Sequence, residues 1–220
     1  SENGQWPGVT GLSGEVRADS RSGRIALSSR NSQFDWQAIF RQPLSVDEMI
    51  GALVWRHGQD GTRIVSDNLA LKNADLTTRS NFELTIPPHG SSPLLELETT
   101  IGRFDTTIIS HYLPTGALPA PVVSWLDRSI VSGYIPRAAL TFVGPIIDFP
   151  FYDGKGRFSA TVDIEDGVLD FVEDWPDARD ISGTVEFLNE GFTARGTGNV
   201  IGENPVTISG GIPDMRNAVV

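Results

Sequence analysis

The sequence predicts an all-β fold, mainly antiparallel and assembled from successive hairpins. Three observations carry this. Apolar and polar residues alternate with period two over most of the chain, as they do in a strand with one buried and one solvated face. Short Gly/Asp/Asn turns separate the alternating segments, and a single stretch has helical spacing.

In chain order, strands are expected near 12–18, 24–29, 50–55 and 62–76. NFELTI then sets Phe82, Leu84 and Ile86 on one face against Asn81, Glu83 and Thr85. LLELETTI sets Leu95, Leu97 and Ile101 against Glu96, Glu98 and Thr100. In LPAPVVSWLDRSIVSG a helix is expected over 121–132. Its prolines at 119 and 121 suit the start, Val122, Trp125, Leu126 and Ile130 form a stripe, and Gly133 suits the position past the end. SVDE at 45–48 matches a capping box, but Gly51 follows too soon for a long helix, so the match is read as spurious or a single turn. Strands resume near 137–143. RFSATVDI places Phe158, Ala160, Val162 and Ile164 opposite Arg157, Ser159, Thr161 and Asp163, and further strands are expected near 168–172, 181–188, 192–200 and 206–212. The chain divides into hairpin units over 1–110, a helix-containing insertion over 111–136 and further hairpins over 137–220. LSGEVRADSRSGRIALS, IGALVWRHGQDGTRIVS, GRFSATVDIEDGVLDF and ISGTVEFLNEGFTARG share a glycine, an alternating strand, a turn and a second glycine, the pattern of a sheet extended by repetition.

Composition narrows the function. With 28 acidic against 17 basic residues the net charge is -11, and no basic cluster stands out in the sequence, which argues against nucleic acid. The absence of cysteine rules out disulfides and thiolate ligands or nucleophiles, and no cofactor is expected. No apolar run approaches the roughly 20 residues that span a bilayer. SENGQWPGVT lacks the features of a signal peptide, and the chain stops at MRNAVV, just after the expected start of a new strand, so it is read as an internal piece of a longer protein.

Catalytic and metal signatures are absent. His57, His89 and His111 have no ligand spacing, DIEDGVLD lacks the alternating ligands of a calcium loop, and no GxSxG, SxxK or HExxH occurs. The acidic EDWPDARD offers Glu173, Asp174, Asp177 and Asp180, read as a solvated loop and, as the third reading, a hydrolase pair. DGKG has the glycines of a phosphate loop but lacks GxxxxGK[ST] and precedes a strand, so it is read as a hairpin turn with Lys155 solvated at its tip. Pro150 just before it predicts an edge, bulge or break.

One helix covers little of an apolar face this large, so the face must close on itself or be covered by something other than this chain. A closed β-sandwich acting as an adhesin or glycan-binding module, with Trp36, Trp55 or Trp175 as sugar platforms, is one reading. Another comes from residues 111–176. YLP at 112–114, the SWLDRSIVSG helix, the FPF segment ending at Phe151, GxGxF at 154–158 and WP at 175–176 resemble the YhdP family of the AsmA-like superfamily. The resemblance implies a periplasmic segment of an inner-membrane-anchored envelope protein of Gram-negative bacteria. Its fold would be an elongated, curved repeat sheet with an open hydrophobic groove, and it would conduct phospholipid between the inner and outer membranes without being an enzyme. The groove would be lined by Phe82, Leu84, Ile86, Leu95, Leu97, Ile101, Phe158, Ala160, Val162, Ile164, Val185 and Phe187, with Trp125, Leu126 and Ile130 of the helix nearby to plug, gate or cap it. Its partners would be acyl chains and, through other parts of the protein, the two membranes. The fragment is expected to dimerise non-natively through its cut edges.

Overall fold

The computed structural model describes residues 8–88, 91–116, 118–170, 176–200 and 205–217. Its strands are β1 (Gly8–Thr10), β2 (Gly14–Ala18), β3 (Ser22–Asp35), β4 (Leu44–Gly58), β5 (Gly61–Lys72), β6 (Thr77–Ile86), β7 (Leu94–Ile101), β8 (Phe104–Asp105), β9 (Ile130–Ile135), β10 (Ala138–Pro145), β11 (Arg157–Leu169), β12 (Ala178–Leu188), β13 (Gly191–Asn199) and β14 (Val206–Ile212). Two helices, α1 (Ile109–Tyr112) and α2 (Ala120–Ser129), lie between β8 and β9.

All the strands belong to one open, curved 14-stranded sheet, ordered β1-β3-β4-β5-β6-β7-β10-β11-β12-β13-β14. Every pairing is antiparallel, and apart from β2 and the β8–β9 excursion each strand lies beside its sequence neighbour. That meander follows from the short turns, which leave a strand no alternative but to fold back on its predecessor. No helix among the described residues is long and apolar enough to cross a membrane.

Two expectations are corrected in detail, and the reading of SVDE is resolved. GRFSATVDIEDGVLDF is one continuous strand, β11, instead of a hairpin. Asp-Gly is a strong turn signal, yet here Asp166, at φ 52°, and Gly167 form a bulge that shifts the register between Ile164 and Gly167. SVDE lies within β4, so its capping-box match is spurious. The expected helix ends at Ser129, and Ile130 opens β9, where it pairs with Leu169. Gly133 therefore sits inside a strand, at φ 139°, where any Cβ would press on Gly167. The β-branched run Ile130-Val131 favours the strand, and partners on β11 complete the preference.

β11 has two partners on one edge. Its first half pairs with β10 and its second half with β9. The bulge between the halves lets one strand serve both.

Candidate functional site

Residues directly opposite each other on paired strands share a face, so register assigns every side chain to one side of the sheet. Phe82 faces Leu97, Leu97 faces Phe142, and Phe142 faces Phe158. The next row runs Ser80, Thr99, Leu140, Ala160, Phe187, Phe192 and Ile212. A third joins Thr78, Ile101, Ala138, Val162, Val185 and Ala194. Leu84 faces Leu95, Ile86 faces Thr62, and Ile164 faces Gly183 on the same side. All the residues expected to line a groove thus fall on one face, and each is half-buried.

The face extends across the whole sheet. Ile25, Leu27 and Leu53 carry it over β3 and β4, Ile64 and Leu71 over β5, and Ile208 over β14. Leu140 and Phe142 belong to the face as fully as the residues first named, and their alternation in ALTF signalled it. Among the described residues no second sheet covers this face. Six of the ten buried apolar side chains among the described residues gather in two patches, Leu27, Val46 and Met49 in one, and Phe104, Ile135 and Ala138 in the other. The polar atoms on the face are few and some are paired, as in the 2.9 Å hydrogen bond between the hydroxyls of Ser80 and Thr99.

The opposite face is polar. Glu83 stands directly across from Glu96, and Arg63 forms an ion pair with Glu83 that relieves the repulsion. The hydrogen bond from Arg63 holds the Glu83 carboxyl below its ordinary range.

Two structures rise over the apolar face from opposite ends of the strands. The first is the segment from Phe104 to Ile135. Phe104 and Ile135 root it against Ala138, with Ile101, Val162 and Ile164 packed around them. From there it reaches back along the strand ends. The Tyr112 hydroxyl donates to Asp75 at 2.7 Å and accepts from Asn73 at 2.9 Å in the β5–β6 turn. Burial, reinforced by the bond to Asp75, pushes this phenol up to about 12. The Gly116 amide donates to the Ile39 carbonyl at 3.0 Å in the β3–β4 connection, and a Cβ at Gly116 would overlap the Ala38 carbonyl. Arg41 pairs with Asp127 of α2 at 2.5 Å. Trp125 and Leu126 on that helix and Ile130 just after it are half-buried.

The second is the β10–β11 connection. Phe149 and Phe151 fold back over the face, with Phe151 5.0 Å from Phe142 and Phe149 5.2 Å from Phe158 between ring centroids. Phe151 is 1% exposed and adopts φ 70°. It occupies the space that a side chain at Gly156 would need. The second glycine of DGKG is thus explained by an aromatic ring, and no anion is required. Lys155 is exposed and pairs with Asp153 at 2.6 Å. Pro150 follows a cis peptide bond in the break between β10 and β11. Phe149 and Phe151 escaped notice as site residues because they lie outside any alternating run.

The other candidates stay scattered. His57 contacts Thr62 at 3.0 Å, His111 lies on α1, and His89 lies outside the described residues. Asp177 pairs with Arg179 and Asp180 accepts from Asn199, while Glu173, Asp174 and Trp175 lie outside the described residues. No group of three potential metal ligands occurs among the described residues. Trp55 lies across Gly23 at the start of β3, whereas Trp36 follows its end, so these two form no shared platform.

No solved structure matches the chain. It is 23% identical over 214 residues to the "Intermembrane phospholipid transporter YhdP" of Escherichia coli (strain K12), an alignment covering 96% of this chain and 17% of that protein. The chain spans about a sixth of that relative's length. The family model described as "YhdP protein" matches residues 1–220, and the chain belongs to that family.

Proposed function

We propose that this chain is one segment of a non-enzymatic lipid conduit. Acyl chains of phospholipid lie on the apolar face and travel across the strands, between the Phe104–Ile135 segment on one side and Phe149 and Phe151 on the other. The observation that carries this reading is the continuous apolar face, half-exposed and, among the described residues, uncovered by a second sheet. That a relative is described as an intermembrane phospholipid transporter supports phospholipid as the cargo, and on this reading the segment lies in the periplasm.

The energetics suit it. Each CH₂ withheld from water is worth about 0.8 kcal/mol, so exposing an acyl chain of around 16 carbons costs on the order of 12 kcal/mol. A lipid crossing an aqueous gap therefore needs a lined path. Strands set across that path add about 4.8 Å each, so the sheet provides roughly 50 Å of it.

The test is phospholipid retention on native mass spectrometry after gentle purification. Leu97→Asp and Ala160→Asp put a charge in the open rows, where it meets acyl chains instead of solvent. Each is expected to lower retained phospholipid at least about tenfold, the change a penalty of 1.4 kcal/mol produces. Thr161→Asp, on the polar face, is expected to change nothing. Val162→Asp is a poorer probe, because Val162 packs against the buried Phe104, Ile135 and Ala138 patch and its loss would disturb the fold. Undiminished phospholipid in folded Leu97→Asp and Ala160→Asp proteins would refute the conduit.

A further inference from the structure

On the face turned away from the apolar rows, a depression of ≈ 700 Å³ opens where β4, β5, β6 and β7 meet the start of β10. That is within the size range of small-molecule sites, about 300–1,000 Å³. Lys72, Arg79 and Arg137 line it, with Glu48 the carboxylate among its walls. Register confirms the side: Arg79 stands between Ala70 and Thr100, and Lys72 between Glu48 and Thr77. Among the described residues none of the three cations has an ion-pair partner. Arg79 only donates a long hydrogen bond, 3.3 Å, to Asn68.

Other basic side chains without a carboxylate partner, such as Arg24, Arg157 and Arg195, stand apart along the sheet, whereas these three border one concavity. Gathering three unneutralised cations around one concavity works against folding through their mutual repulsion, and an anion would relieve it. Lys72 and Arg137 lie about three strand spacings apart, roughly 14 Å, with Arg79 between them, so their long side chains can converge on one group. The hydroxyls of Thr77 and Thr100 border the same space, and Gly102 keeps its floor low, since a Cβ there would stand 2.6 Å from Thr77 Oγ1.

We propose that this depression binds the phosphate group of a small phosphate ester. The Arg79 and Arg137 guanidiniums would each present a planar pair of donors to phosphate oxygens, with the Lys72 ammonium as a point charge beside them. A free phosphate fills little of such a volume, so the ester's polar remainder occupies the rest and contacts the threonines. The same chemistry is offered by a lipid headgroup and by a soluble metabolite. The site lies on the opposite face from the proposed conduit and does not depend on it.

Calorimetric titration of the full chain with glycerol 3-phosphate, glycerophosphoethanolamine and inorganic phosphate tests it. Saturable binding of an ester, tighter than that of inorganic phosphate and weakening as salt rises, is expected. Arg79→Gln and Arg137→Gln are expected each to weaken it at least about tenfold, as loss of a charged contact to a phosphate does. Arg195→Gln, on the same face at β13, is expected to leave it unchanged. Tighter glycerophosphoethanolamine than glycerol 3-phosphate assigns the site to a headgroup, and the reverse order to a soluble monoester. Equal affinity for inorganic phosphate would overturn the ester. Absence of saturable binding, or binding indifferent to Arg79→Gln, would overturn the site. Phospholipid retention should be unaffected by these variants, which separates this outcome from that of the conduit.

Discussion

Arg63 shows how a single side chain on the polar face decides whether a strand pair is tolerated. Glu83 and Glu96 are register partners, and two ionised carboxylates in that position repel. Arg63 lowers the Glu83 titration below its ordinary range, chiefly through its hydrogen bond. A carboxylate depressed in the folded state adds stability that is present above its unfolded value and is lost as pH falls through the folded one. Arg63→Gln is therefore expected to lower the urea midpoint at pH 7, and the two curves should converge as pH falls below the ordinary carboxylate range and Glu83 takes up its proton in the folded state too. A gap that persists in acid would assign the effect of Arg63 to packing instead. At the same scale, Phe151 shows what the sequence hid. Gly156 looked like half of a phosphate loop, and the reason for the glycine was a ring supplied five residues earlier.

Among elements, the Phe104–Ile135 segment differs from the sheet in how it is held. β10 is zipped to β11 and β7 along its length, while α2 has no such ladder: it buries Val122 and Ser129, joins β9 at its end, and adds the exposed Arg41–Asp127 pair, the kind of contact worth at most about 1 kcal/mol. Local opening follows such differences in anchoring. In hydrogen exchange, α2 amides are expected to exchange faster than those of β10 and β11. Gly116→Ala, which drives a methyl into the Ala38 carbonyl, should accelerate exchange over 106–129 while leaving the strands protected. Equal protection of α2 and β11 would show the segment to be an integral part of the sheet's cooperative unit. The helix boundary was misread for a related reason. Apolar spacing continued through Ile130, and only pairing with β11 turned that residue into a strand.

For the whole molecule, the apolar face is the dominant physical fact. Contiguous apolar surface of this extent on a monomer marks a binding surface or a route to association. The chain in aqueous buffer is expected to bind the dye ANS while retaining full β circular dichroism, and to self-associate in sedimentation velocity. Micellar detergent should suppress both by occupying the face. Association insensitive to detergent would point to the strand edges at β1 and β14 instead.

What the sequence determined by itself was the partition of side chains between faces. A period of two leaves each strand only two choices, and a hairpin fixes the register of its two strands, so Phe82 was bound to share a side with Leu97, and Phe158 with Phe187; that both pairs share one side was set by β7 pairing with β10 across the intervening segment. What only the tertiary structure decided was everything that breaks that period: the reach of Phe104–Ile135 from β11 back to the β3–β4 connection, the fold-back of Phe149 and Phe151, the bulge that gives β11 two partners, and the meeting of Lys72, Arg79 and Arg137 from distant points in the chain. These rest on contacts between residues far apart in sequence, and local alternation carries no record of such contacts.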